Sequence, residues 1–283
     1  MLKSLLPPKS DFVFKRIFGD VRNTDILTDF LQSVLELPAE DYEEVSVVDP
    51  HLNKDSGEDK YGILDVKVRT KTGKIIDVEI QRRDFPNIEE RILFYTSKML
   101  LGQIGSGDDY RKIKQVISIL ITNYELYKDE RYHHRFKLRD DETGILFTRL
   151  LEVNTLELPK LPALPSDDDR TKLYEWLRFI KVENREELEM IATANPKIKK
   201  AKGVLLKMSA DEQARLLYES YEMRELDEMT RTNHAYSKGI AEGIVNTAVN
   251  MLEANFPFEM IVQATKLSVE EVESVRLQWI ISR

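Results

Sequence analysis

The feature of this sequence that most constrains its fold is a pair of alternating segments joined by a short glycine-containing loop. Apolar and polar residues alternate over 63–69 and again over 75–81, as they do in β-strands that bury one face. Lys71-Thr72-Gly73 joins them, so we predict a β-hairpin. Both polar faces point the same way only if paired residue numbers sum to an even value. We therefore expect a three-residue loop, with Gly73 in the left-handed position of a bulge and pairs that sum to 144.

This register predicts which polar side chains face one another. Asp65 is expected opposite Glu79, and Lys67 opposite Asp77. Two opposed carboxylates repel each other unless a cation lies between them, so this pair is typical of metal ligands. Oxygen ligands favour Mg²⁺ or Mn²⁺ over zinc, and Gln81, on the same face, can hydrogen-bond a metal-activated water. The alternative from the pattern alone is an exposed polar strand face with a Lys67–Asp77 ion pair.

The other patterns predict an α/β chain followed by helices. Helical spacing or strand-like runs mark the segments 12–18, 23–35, 45–48, 115–122, 132–137 and 147–157. Prolines at 159, 162 and 165 then separate this part from a nearly all-helical remainder. Its expected helices are 170–180, 185–194, 197–207, 209–230 and a final stretch from 236. The predicted domains are 1–165, a helical region 166–235 and C-terminal helices 236–283.

A further helix is predicted directly after the hairpin. Asn87 and Glu90 have capping-box spacing, and the helix is expected to run to about Gly102. Arg91, Tyr95 and Lys98 then lie on one of its faces. Residues 82–114 carry seven basic and five acidic side chains, an excess of two positive charges in an otherwise acidic chain. This excess is equally consistent with a solvated helix face and with phosphate contacts.

Composition excludes several classes of protein. The chain has no cysteine, which excludes disulfides, thiolate metal sites and a cysteine nucleophile. None of its four histidines has convincing metal-ligand spacing. No apolar run approaches the roughly 20 residues that span a bilayer, and residues 1–8 lack the apolar core of a signal peptide, so we expect a cytoplasmic protein. The net charge of −8 does not by itself suggest a nucleic-acid binder.

Taken with its flanking residues, the hairpin resembles the core of the PD-(D/E)XK nuclease superfamily, in the branch that has glutamine in place of lysine. More specifically, the chain resembles the Rpn family of recombination-promoting nucleases, also described as PD-(D/E)XK nuclease family transposases. The landmarks that carry the resemblance are Asp11-Phe12-Val13-Phe14-Lys15, Leu64-Asp65-Val66-Lys67, Asp77-Val78-Glu79-Ile80-Gln81, Arg91 with Tyr95, Gly107-Asp108-Asp109-Tyr110, residues 156–161, Trp176 with Phe179, and residues 239–243.

The resemblance implies a mixed sheet flanked by helices and cleavage of DNA that depends on Mg²⁺ or Mn²⁺. It assigns Asp65, Glu79 and the backbone carbonyl of Ile80 to the metal. Gln81, which takes the position of the usual lysine, can orient the attacking water but carries no positive charge. Asp11 is either the acidic residue that this superfamily brings from its first helix or a helix cap.

The residues predicted on one face of the helix after the hairpin can be interpreted as substrate-binding or as structural. Arg91, Tyr95 and Lys98 are the expected substrate-binding residues, since they can reach phosphates from the helix. Arg91 can equally pair with a sheet carboxylate, and Tyr95 can be a core aromatic. The functional alternative to a nuclease is a catalytically weak or inactive nuclease fold that serves as a DNA-binding or assembly module.

The C-terminal segment offers two further interpretations. Residues 258–278 resemble a helix-turn-helix, but residues 151–283 carry 18 basic and 23 acidic side chains, which favours a packing or self-association hairpin over a DNA reader. One apolar stripe, Ile240, Ile244, Ala248, Met251 and Leu252, exceeds what a solvated terminal helix needs. We therefore predict a homodimer built at least partly through residues 236–283. The alternative is that the stripe folds back onto the preceding helices of a monomer.

Overall fold

Six strands form one mixed sheet in the computed structural model, which describes residues 4–48, 66–163, 171–193 and 195–281. They are β1 (Val45–Val48), β2 (Val66–Thr70), β3 (Ile75–Gln81), β4 (Val116–Thr122), β5 (His133–Lys137) and β6 (Leu151–Glu157), in the spatial order β1-β2-β3-β4-β6-β5. Strands β3, β4 and β6 are mutually parallel, and the other neighbours pair antiparallel. The predicted mixed sheet is confirmed.

The hairpin of β2 and β3 has the predicted register. Val66 pairs with Val78 and Lys67 with Asp77, so that paired numbers sum to 144. The backbone amide of Thr70 donates to the carbonyl of Lys74 at 3.0 Å, which closes a three-residue loop, and Gly73 lies in the left-handed region with φ of 89°. Glycine enters this region without the steric cost that a side chain brings. The predicted partner of Glu79, Asp65, lies outside the described residues.

Helices cover both faces of the sheet. The helices are α1 (Asp11–Phe18), α2 (Thr24–Val34), α3 (Ile88–Leu101), α4 (Lys172–Lys181), α5 (Arg185–Ile191), α6 (Pro196–Ala210), α7 (Glu212–Glu253), α8 (Phe258–Thr265) and α9 (Val269–Ile281). The main core joins the even-numbered side of β3, for example Ile76, to Phe14 of α1 and Trp176 of α4. On the other face, Ile88 and Ile92 of α3 pack on Leu120 of β4. Every residue of β4 is therefore buried, as its nearly unbroken apolar sequence predicts.

Two local predictions are wrong. Asn87 precedes α3 but makes no side-chain cap, because its backbone is left-handed, with φ of 61°, whereas a capping side chain needs an extended backbone. The predicted break between residues 230 and 236 is absent, and α7 is continuous for 42 residues. The segment between those positions is polar but contains neither proline nor glycine, so nothing in it ends a helix.

Contacts divide the chain into two units, Met1–Tyr218 and Glu219–Arg283. The predicted divisions at 165 and 235 remain predictions. In the second unit, Ala248 from the end of α7 packs with Ile261 of α8 and Val272 of α9. Ser268 and Glu271 cap α9 reciprocally, since each side chain accepts from the other's backbone amide, at 3.1 and 2.7 Å. No helix among the described residues is both long and apolar enough to cross a membrane.

Candidate active site

The polar face of β3 carries the centre of the candidate site. Asp77, Glu79 and Gln81 alternate with the core residues of the same strand, so the period of two that forms the strand also places all three on one face. Helix α3 packs on this face of the sheet, and Glu79 is only 3% exposed. A carboxylate buried to this extent is costly unless its oxygens have partners.

The two carboxylate oxygens of Glu79 have different surroundings. Oε1 accepts two hydrogen bonds, one from Gln81 Nε2 at 2.7 Å and one from Arg91 Nη2 at 2.9 Å. Oε2 is buried and has no hydrogen-bond partner among the described residues. An unsatisfied buried carboxylate oxygen requires an explanation, and a bound cation is one. The donors at Oε1 fix the carboxylate and leave Oε2 for such a cation.

Arg91 reaches this carboxylate from the end of the first turn of α3. Its guanidinium carbon lies 5.1 Å from the ring centroid of Phe85 and 5.5 Å from that of Tyr95. Its Nε is buried and has no acceptor among the described residues. Of the two interpretations from the sequence, the structure shows the ion pair with a sheet carboxylate; contact with phosphate stays a prediction.

The other two expected substrate-binding residues lie further along α3. Tyr95 is half-buried and packs against the cluster of Ile75, Met99 and Val116, which favours the core-aromatic interpretation. The Nζ of Lys98 lies 5.9 Å from the ring centroid of Phe94, whose side chain is exposed. Whether either residue touches substrate stays a prediction.

Asp11 is the first residue of α1, but it is not the helix cap. Ser10 has that role, because its Oγ accepts from the backbone amide of Val13 at 3.3 Å. The carboxylate of Asp11 forms an ion pair with Lys15, with 3.0 Å between Oδ1 and Nζ. The buried residues of α1 join the core on the opposite face of β3 from Glu79. The assignment of Asp11 as a catalytic acid stays a prediction.

Tyr124 lies near the end of β3. Burial and, to a lesser extent, the carboxylates of Asp84, Glu89 and Glu79 raise the pKa of its hydroxyl to about 12. The described residues contain no cluster of three or more acidic, histidine or cysteine side chains that could hold a metal by themselves. Glu79 would therefore need further ligands to hold a metal ion, and an all-oxygen set would suit Mg²⁺ or Mn²⁺.

A buried charge network that was not predicted from the sequence lies at the carboxyl ends of the parallel strands, near the end of β3. Glu157 ends β6, is fully buried, and lies 2.8 Å from Lys160 Nζ and 3.4 Å from His134 Nδ1. His134 Nε2 in turn lies 2.9 Å from Asp129 Oδ2. In the sheet, Glu157 of β6 lies beside Thr122 of β4, and Thr122 lies beside Gln81 of β3. Glu157 and Lys160 belong to the sequence landmark 156–161, but neither residue was assigned a role from the sequence.

Comparison with protein families identifies one match. The family described as PD-(D/E)XK nuclease family transposase matches residues 8–235, well over half of the chain and all of the sheet. No curated protein and no solved structure matches the chain. The matched range includes Asp65 and both strands of the hairpin, as well as Arg91.

Proposed function

Because this chain belongs to the PD-(D/E)XK nuclease family transposases, we propose that it is a metal-dependent DNA endonuclease that hydrolyses phosphodiester bonds and acts in recombination or mobile-element processes. The proposal depends on the unequal surroundings of the two carboxylate oxygens of Glu79. Oε1 accepts two hydrogen bonds, whereas Oε2 accepts none from the described residues. Most buried polar atoms in native proteins have a hydrogen-bond partner, so this oxygen of Glu79 is a candidate metal ligand.

Three groups would hold the metal ion. We assign it to the carboxylates of Asp65 and Glu79 and to the backbone carbonyl of Ile80. The hairpin register supports the first pair. The described pairs, from Val66 to Arg69, sum to 144, and a continuation of that series would pair Asp65 with Glu79. Carboxylate and carbonyl oxygens are the ligands that Mg²⁺ and Mn²⁺ prefer.

The remaining residues would orient the reactants. A bound Mg²⁺ or Mn²⁺ supplies a water of lowered pKa and polarises the phosphate. Gln81 donates through its amide nitrogen to Glu79, so its carbonyl oxygen is the atom that can accept a hydrogen bond from the attacking water. Lys98 would contact a phosphate of the DNA backbone.

Nicking of supercoiled plasmid in the presence of Mg²⁺ or Mn²⁺ tests this function. Glu79→Gln keeps the size of the side chain but removes the charge, and Asp65→Ala removes the second carboxylate. Loss of an outer partner of a metal ligand already costs roughly 10–100-fold in activity, so we expect losses above about 100-fold.

The matched control is Glu152→Gln. Glu152 is also a buried glutamate of the sheet, 5% exposed, and it pairs with Lys137 at 3.2 Å, but it lies on the opposite face. This variant should keep its cleavage rate at temperatures where it is folded. Unchanged cleavage by Asp65→Ala and Glu79→Gln, in preparations free of contaminating nuclease, would refute the proposal.

The second candidate is a nuclease fold that binds DNA or assembles without cleaving it. The neutral Gln81 favours it, because the site then lacks the lysine named in the family motif. Calorimetric titration with Mn²⁺ separates the two functions. Binding in the millimolar range or tighter, lost in Glu79→Gln, supports the enzyme, whereas no binding by the wild-type chain supports the inactive fold.

A further inference from the structure

The family motif ends in a lysine, but this chain has Gln81 at that position, so its site lacks the usual positive charge. We propose that Arg91 supplies this charge from α3, acting through Glu79. The inference rests on the proposed nuclease function. It assigns to Arg91 an electrostatic role in the reaction, beyond the stability of the fold.

The geometry places the cation at the required carboxylate. Arg91 Nη2 lies 2.9 Å from Glu79 Oε1, the same oxygen that accepts from Gln81 at 2.7 Å. A neutral and a charged donor therefore share one oxygen, and together they do what a single lysine would do. Because both bind Oε1, the positive charge approaches Glu79 without blocking Oε2, where the metal ion would bind.

The surroundings of Arg91 hold the charge in place. Its guanidinium lies near the rings of both Phe85 and Tyr95, and Tyr95 itself packs against the cluster of Ile75, Met99 and Val116. Cation–π contacts and packing of this kind restrict the rotamers of a long side chain. The buried Nε, which has no acceptor among the described residues, retains a donor for a reacting group.

Arginine differs from lysine in what it can do here. A guanidinium stays protonated at any pH relevant to the protein, so Arg91 cannot act as an acid or base. It can only be a fixed positive charge near a phosphate that gains negative charge in the transition state. Fixed charges and dipoles of this kind are worth roughly 10²–10³ in rate.

Metal affinity separates this role from simple positioning of Glu79. A positive charge close to a metal site weakens cation binding. In calorimetry without DNA, Arg91→Gln should therefore bind Mn²⁺ roughly 3–10-fold more tightly than wild type, a difference within the range expected for charges at partly exposed sites. The same variant should nick plasmid about 10²–10³-fold more slowly at saturating metal. If Arg91 only held Glu79 in position, its loss would loosen the ligand, and Mn²⁺ binding would weaken.

Rescue provides a second measurement. Gln81→Lys in the Arg91→Gln background restores a charge at the family position and should recover at least about 10-fold in cleavage. In the wild-type background the same change adds a second cation and should weaken Mn²⁺ binding without raising the rate. Arg91→Lys, which keeps the charge, should retain more activity than Arg91→Gln and guards against a folding defect. Arg111→Gln, an equal charge change at a side chain 91% exposed, is the control.

The outcomes distinguish this inference from the function on which it depends. If wild type binds Mn²⁺ and cleaves DNA but Arg91→Gln cleaves equally well, or binds Mn²⁺ more weakly, the role of Arg91 is refuted and the nuclease stands. Equal effects of Gln81→Lys in both backgrounds also refute it. If wild type neither binds Mn²⁺ nor cleaves, the nuclease function fails and this role fails with it.

Discussion

Asp41 and Glu79 are two buried carboxylates that contact opposite ends of the same hairpin, and their surroundings differ. Asp41 accepts from the Thr70 hydroxyl at 2.8 Å and also from Thr72 and Lys74, so both of its oxygens have partners. Glu79 has one oxygen without a partner among the described residues. At the scale of the residue, the fold satisfies Asp41 completely, whereas Glu79 keeps one oxygen that can still bind a ligand.

The first prediction concerns the stability that Asp41 provides. Asp41→Asn removes the charge that satisfies the buried end of Lys74, so we expect the free energy of unfolding to fall by about 2–3 kcal/mol. Urea denaturation followed by circular dichroism measures it. Glu43→Gln is the control, because its ion pair with Lys71 is exposed and contributes less than about 1 kcal/mol. Equal losses in both variants would contradict this role of Asp41.

Low pH should remove the contribution that Asp41 makes to the free energy of unfolding. Burial raises the pKa of Asp41, but hydrogen bonds from Lys74, Thr72 and Thr70 lower it, and the pKa lies below the ordinary 3.8. A carboxyl group with a pKa lowered by folding stabilises the fold above its unfolded pKa, and this contribution is lost as the pH falls through the folded pKa. Asp41 should become protonated between about pH 5 and pH 2. Over this range the wild-type protein should therefore lose more stability than Asp41→Asn, which has no charge to lose at this position. Parallel curves of urea midpoint against pH would contradict the prediction.

At the scale of the element, Gly73 determines how the hairpin turns. Its φ of 89° is rarely adopted by residues with side chains, so Gly73→Ala should destabilise the protein by about 1–2 kcal/mol. Gly73→Asn should cost less, because asparagine tolerates left-handed backbone better. The opposite sign is expected for Gly203→Ala, since Gly203 lies inside α6 with nothing within 4 Å of a new Cβ and alanine favours helices. Thermal unfolding of the three variants tests this, and destabilisation by Gly203→Ala would count against it.

At the scale of the whole molecule, the predicted homodimer depends on what the apolar stripe of α7 contacts. Ala248, Met251 and Leu252 pack inside the three-helix core of the second unit, so this half of the stripe already has partners. Tyr236 and Ile240, 71% and 47% exposed, belong to a stretch of α7 from 226 to 243 whose residues are all exposed. A long helix in water gains most of its stability from packing, which supports self-association here.

Light scattering tests the dimer at micromolar concentration. We expect about twice the chain mass of 33.0 kDa, reverting to 33.0 kDa when Tyr236→Glu and Ile240→Glu are combined, since two buried charges without partners oppose association. The control is Met190→Glu, a substitution of another exposed apolar residue, 68% exposed, in the first unit. A wild-type mass of 33.0 kDa, or a dimer that survives the double substitution, would contradict a dimer built through these residues.

The sequence alone determined the hairpin and its register, because the alternation over 63–69 and 75–81 and the position of Gly73 permit one pairing that puts all polar residues on one face. It determined the family as well, through residues spread along the chain. It did not predict that α7 is unbroken, or that Asn87 is left-handed, because caps and breaks depend on backbone conformations that residue types only bias.

Only the tertiary structure decided the pairing of Arg91 with Glu79. These residues are 12 apart in sequence, and their contact depends on how α3 crosses the sheet, which no local spacing encodes. The same holds for His134, Glu157 and Lys160, which meet because an antiparallel strand pair and the chain that follows it bring them together. Local periodicity fixes which face of an element a side chain occupies, whereas the side chain that meets it there depends on the packing of the whole core.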